Sequence, residues 1–251
     1  LSLSSENLTR LIDGLCLSEA HGVLIKKYLS AADSEVRELI AGARNLHIAW
    51  ERRGGNWGNT LSGEQIDGFG NYLQKAHENL SHRFSTAVLE AESFARLTRV
   101  YMGFSDIEAV QSSFQNASYL VNDHLLAHLN YFKAISPKWL GDVELLGRFV
   151  LNVEDKSLKN LLKLMYVVEL YSDKYYSTYD EAKVNYEKAK FDYVSKILSD
   201  IHPLEDDSLI GIYTNNYIAC LYRILGMQLK EIKMSKYLVA RRTNYPWAYF
   251  G

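Results

Sequence analysis

Apolar residues recur along this chain at helical spacing, in a phrase of apolar, three residues, apolar, two residues, Ala. It is written as Phe69, Leu73, Ala76, then as Val110, Phe114, Ala117, and more loosely as Ala182, Tyr186, Ala189. Steps of four and three keep these side chains on one helix face, and the small Ala lets a second backbone come close. The recurrence, at roughly 36–41 residues, lies in the range of two-helix repeats that stack into solenoids. Strand signals are nearly absent, because no alternating run of branched residues is bounded by Asn-Gly or Asp-Gly turns.

Capping residues divide this pattern into about a dozen helices. The first pair is predicted over Glu6–Leu15 and Glu19–Leu29, and Asp33 caps a third helix running to about Trp50. Ser62 with Gln65, and Ser105 with Glu108, have capping-box spacing. Thr86–Tyr101 and Asp123–Ile135 follow as helices, and Asp142 caps a short one ending near Leu151. Ser157–Tyr171, Asp180–Leu198, Ser208–Leu225 and Gln228–Val239 complete the set. Pro137, Pro203 and Pro246 each sit where a helix has already ended. The expected fold is all-α: antiparallel helix hairpins stacked into a short TPR-like solenoid, as one domain over residues 1–251. The aromatic tail, with Trp247, Tyr249 and Phe250, is expected to cover the last hairpin.

Composition narrows the function classes. A chain of 251 residues, 47% hydrophobic, can bury a sizeable core. Its 28 basic and 30 acidic residues leave a net charge of −2, which gives no electrostatic case for nucleic acid or an anionic membrane. No apolar run reaches about 18 residues, so no membrane span is expected. Cys16 and Cys220 form no metal or redox motif and are expected as buried free thiols. The chain opens on Leu1, so the lack of a signal peptide does not bear on export. The compartment stays open between bacterial cytoplasm, which is favoured, and periplasm.

Two segments go beyond periodicity. The first is Ala49-Trp50-Glu51-Arg52-Arg53-Gly54-Gly55-Asn56-Trp57-Gly58-Asn59-Thr60, followed by the phrase on Phe69, Leu73 and Ala76. The second is the helix end Asn130-Tyr131-Phe132, followed by Ser136-Pro137-Lys138-Trp139-Leu140-Gly141-Asp142. Together they resemble a bacterial family of tetratricopeptide-like proteins of undetermined function, marked by a Trp-Arg-Gly-Gly loop and a Pro-Lys-Trp-Gly turn. The resemblance spans about Leu39 to Val150; it departs at Leu140, where the turn carries Gly, and in one additional Arg at Arg52-Arg53. It implies an all-α repeat fold and no catalytic residues.

Phosphate loops, dinucleotide fingerprints and nucleophile elbows are absent from the sequence. The Gly-rich loop after Trp50 has two readings. Its amides could cradle an anion beside Arg52 and Arg53, or its glycines could simply reverse the chain while Trp50 and Trp57 plug the hairpin. His124 and His128 have the spacing of two metal ligands on one helix face, with Asp123 adjacent, but no third ligand is implied. No cofactor is expected.

With 18 Tyr and 4 Trp, the chain is rich in side chains that give rigid contact area at low entropic cost. The leading expectation is therefore a non-catalytic protein-interaction module gripping a protein segment on a concave face. Its candidate contacts are Arg52, Arg53, Trp57, Asn130, Tyr131, Tyr175, Tyr176, Tyr213, Asn215, Asn216 and Tyr217. A sharper version is an immunity-type inhibitor of a bacterial toxin. The alternative class is a metal-binding enzyme on a helical array, centred on Asp123, His124 and His128.

Overall fold

Short polar side chains start the helices. The computed structural model describes residues 4–16, 27, 30, 33–55, 60–177, 193–243, 246 and 247, with 171–177 by backbone alone. In it Asp33, Ser62, Thr86, Asp106, Asp142 and Ser208 each accept a hydrogen bond from a backbone N–H in the turn that follows. Such bonds satisfy donors that have no partner inside the helix.

Among the described residues there are 11 helices and no strand, against the dozen expected. They are α1 (Ser5–Cys16), α2 (Ser34–Arg53), α3 (Gly63–Leu80), α4 (Ala87–Phe104), α5 (Ile107–Leu120) and α6 (Leu125–Ala134). Then come α7 (Val143–Asn152), α8 (Lys156–Ser177), α9 (193–200), α10 (Leu209–Ile224) and α11 (Gln228–Leu238). The helix expected at Glu19–Leu29 falls almost entirely outside the described residues, as does the phrase on Ala182, Tyr186 and Ala189.

One expected cap moves by a residue. Ser105 does not open α5; it ends α4 at φ 60°, in the left-handed conformation. A two-residue link between packed helices must reverse the chain abruptly, and that residue does so. Asp106 then takes the cap, accepting from the Ala109 N–H at 3.0 Å.

The chain divides into two compact units, Leu1–Ala134 and Ile135–Gly251. In the first, α2 packs along α3 and α4 along α5, while α3 meets α4, and α6 meets both α4 and α5. α1 touches α2, α4 and α6. The recurrent phrase faces this core: Leu73, Ala76, Val110 and Ala117 are buried. Ala95, Ala117 and Ala127 meet where α4, α5 and α6 converge, so the small residues do set close approaches.

In the second unit α7 packs on α8, α8 on α10, and α10 on α11. Leu158, Leu161, Leu162 and Leu164 from α8, with Ile218 to Leu221 from α10, are buried within it. The Ser136-Pro137-Lys138-Trp139 turn closes with the Trp139 N–H on the Ser136 carbonyl at 2.9 Å. From this turn Lys138 places its Nζ 3.7 Å from the Glu169 carboxylate of α8. Gly141 passes so close to the Ile135 carbonyl that a Cβ there would overlap backbone atoms. Gly141→Ala should therefore lower the urea midpoint, corresponding to a loss of about 1–3 kcal/mol.

Candidate functional site

Two clusters of charged side chains stand out in the first unit, one at the surface and one buried. The surface cluster is built where α2 ends. Gly54, at φ 69°, reverses the chain and turns its N–H onto the Trp50 and Glu51 carbonyls. Gln65 completes the capping box by accepting from the Ser62 N–H at 3.0 Å, and its amide also donates to the Arg53 carbonyl at 3.2 Å. The start of α3 is thereby tied to the last turn of α2.

Trp50 lies edge-on to Phe69, with ring centroids 5.0 Å apart. Arg99, arriving from α4, sets its guanidinium 3.9 Å from the Trp50 ring centre, and Arg53 lies 5.8 Å from it. Beside them the Tyr72 ring carries Arg52 at 5.2 Å and Lys75 at 4.9 Å. Four cations thus share two aromatic rings. Each contact contributes about 0.5–1 kcal/mol at an exposed position and holds a long side chain in place. Arg52 and Lys75 are exposed. Of the residues expected here, Arg52 and Arg53 join the cluster and Trp57 lies outside the described residues. Tyr72, Lys75 and Arg99 went unpredicted, because only the packing of α3 and α4 brings them to the end of α2.

The buried cluster centres on Glu92 of α4, whose exposure is 0%. One carboxylate oxygen accepts from Arg96 Nε at 2.9 Å and Nη2 at 2.6 Å. The other accepts from the Thr9 hydroxyl of α1 at 2.5 Å and faces His124 Nε2 at 3.3 Å. Arg96 also donates to Asp13 of α1 at 2.8 Å. Burial pulls the Glu92 carboxyl upward, but the Arg96 charge and the His124 and Thr9 hydrogen bonds outweigh it and hold it below the ordinary 4.5. Arg96 is affected in the same manner: burial opposes its charge, yet Glu92 and Asp13 keep it protonated beyond its usual range.

This arrangement takes His124 and His128 out of a metal site. His124 precedes α6 rather than lying in it, and its Nδ1 accepts from the Ala127 N–H at 3.4 Å. Its Nε2 faces the Glu92 carboxylate in the interior instead of an open coordination site. His128 donates from Nδ1 to the His124 carbonyl at 3.0 Å, and Asp123 is exposed. Among the described residues no three His, Cys, Asp or Glu side chains are grouped to hold a metal ion.

Several of the Tyr and Asn candidates are engaged inside the fold and are corrected as partner contacts. Tyr131 is buried and stacks on Phe114, with centroids 4.2 Å apart. Asn130 donates to the Ala95 carbonyl at 2.9 Å. Asn215 exchanges hydrogen bonds with both backbone groups of Leu204. Asn216, fully buried, donates to the Ile212 and Arg241 carbonyls and accepts from the Thr243 N–H and Trp247 Nε1. Tyr217 is buried beside it, and Tyr213 is half-buried. The side chains of Tyr175 and Tyr176 are outside the described residues. The described ones mostly hold loops and helices together, because a buried amide must satisfy every donor and acceptor it carries.

Both cysteines are buried free thiols. Burial pushes Cys16 up to about 11 and Cys220 up to about 12. No family model, no curated protein and no solved structure matches the chain.

Two expectations follow. Glu92→Gln should cost about 3–5 kcal/mol at neutral pH, since Arg96 loses its principal counter-charge in a buried place. A carboxyl held below 4.5 stabilises the fold above that value, and this contribution disappears as pH falls through the folded-state value. Urea titrations at neutral pH and near pH 3 should therefore show a shallower acid loss in Glu92→Gln than in the unsubstituted chain. The thiols titrate in the opposite sense: raised in the fold, they stabilise it below about 9 and cease to do so as pH rises through about 11 for Cys16 and about 12 for Cys220. At pH 8 a thiol reagent should react at least about 100-fold more slowly with the native chain than with the chain in urea, because burial both excludes the reagent and disfavours the thiolate.

Proposed function

We propose that the chain is a non-catalytic protein-interaction module of tetratricopeptide type, whose partner carries an acidic segment. Support for stacked hairpins comes from the packing order in the first unit. α2 with α3 and α4 with α5 are successive pairs, and α2, α4 and α6 lie side by side as the first helices of successive hairpins do. α1 rests along that row. A partner segment therefore has to meet this unit elsewhere than the face first expected.

The observation that carries the proposal is the sharing of Trp50 and Tyr72 by Arg52, Arg53, Lys75 and Arg99. Trp, Tyr and Arg are the side chains that dominate binding energy at protein interfaces, and here ring contacts already order the cations. Carboxylates laid over such a patch find donors that lose little freedom on binding. The experiment is capture by the immobilised chain from an extract of its native organism, run beside the double variant Arg52→Glu/Lys75→Glu. A protein retained in stoichiometric amount by the unsubstituted chain should fall at least about tenfold with the variant, since reversing two rim charges acts on an acidic ligand twice. Equal retention by both would move the interface away from this patch. The absence of any retained protein would sink the proposal.

A further inference from the structure

Between Gln228 and Arg242 the chain carries Lys230, Lys233, Lys236, Arg241 and Arg242 against one acid, Glu231, a local excess that the overall −2 conceals. α11 buries Met234 and Leu238 against the second unit. Its other side is also apolar: Leu229 is 86% exposed, Ile232 52% and Val239 83%. With 3.6 residues per turn, these three and the exposed Lys233 and Lys236 occupy one arc of about 120°. Val239 continues the helical backbone, at φ −47° and ψ −44°.

The cations at the border of this arc are engaged. Arg241 pairs with Asp207 at 2.8 Å, Arg242 lies 4.4 Å from the Trp247 ring and Lys230 lies 5.3 Å from the Tyr222 ring. Lys233 and Lys236 have no ion-pair partner among the described residues. Glu231 sits toward the side of Met234 and Leu238, about 160° around the helix from Leu229.

We propose that this face of α11 docks on an anionic membrane surface. Leu229, Ile232 and Val239 stand out from the helix as separate, exposed side chains. A protein partner would need a matching hollow for each, whereas the interfacial layer of a bilayer deforms around them. Lys233 and Lys236, between the apolar residues, can extend their ammonium groups along the surface to lipid phosphates while their stems stay in the apolar layer. Apolar insertion and charge attraction then act on the same face, as two weak membrane signals must to give stable attachment. This inference concerns the second unit and is independent of the partner proposed for the first.

The test is flotation of the whole chain with vesicles of phosphatidylcholine alone and of equal parts phosphatidylcholine and phosphatidylglycerol, at low salt and at about 0.5 M salt. Flotation is expected with the mixed vesicles at low salt, at least about tenfold above that with phosphatidylcholine alone. Leu229→Ser/Val239→Ser and Lys233→Glu/Lys236→Glu should each abolish it while leaving the circular dichroism unchanged, since all four positions are exposed. No flotation with mixed vesicles at low salt overturns the proposal. So does flotation that either double variant retains. Concentration-dependent sedimentation lost in Leu229→Ser/Val239→Ser, without flotation, assigns the face to a second copy and overturns it equally.

Discussion

A carboxylate with no exposure, as at Glu92, can remain ionised only if donors reach it from several directions. They come from Arg96 on the same helix, from Thr9 on α1 and from His124 at the entrance to α6. The desolvation cost of such an ion is several kcal/mol, so any arrangement that lacks one of these donors is disfavoured by a comparable amount. Meeting that requirement places α1, α4 and α6 relative to one another. The remaining helices of the unit join through apolar contacts supplemented by less buried polar ones, such as the Asn79 amide of α3 on the Glu38 carboxylate of α2 at 2.6 Å. A well-packed apolar replacement could be as stable as the charges themselves. What the ions contribute is selectivity among packings.

Features governed by neighbouring residues could be read from the sequence. Asp33, Ser62 with Gln65, and Asp142 cap helices because a cap needs only its own turn. The recurrent phrase identified core positions because helical period alone decides which side is buried. Ser105 shows the limit: its left-handed conformation depends on how tightly α4 meets α5, which no local spacing reports. Asn216 shows another. In sequence it stands among Tyr and Asn residues suited to a binding face, and only the return of Arg241, Thr243 and Trp247 from further along the chain turns it inward. Glu92 and Arg96 look like an ordinary surface pair at i and i+4 until Thr9 and Asp13, 83 residues away, close over them. Tyr72, Lys75 and Arg99 likewise acquire their grouping only from helix packing.

Charge gives a parallel lesson about averages. A total of −2 among 58 charged residues says little about any one surface. Arg52 and Lys75 crowd one ring on the first unit, and Lys233 and Lys236 stand exposed on one helix of the second. Electrostatic interactions decay over about 8–10 Å in physiological salt, so a partner responds to these neighbourhoods and not to the sum.

Thr9 and Asp13 stand one turn apart on α1, and their acceptor and donor, Glu92 and Arg96, stand one turn apart on α4. The two pairs mesh like a vernier. Sliding α1 by a single turn, about 5.4 Å, would bring Asp13 opposite Glu92, carboxylate against carboxylate. Leu8, Ile12 and Cys16 form a greasy stripe that could by itself accept such a slide. The polar pairs forbid it, so α1 has one axial setting, and any insertion or deletion between Thr9 and Asp13 would unkey it.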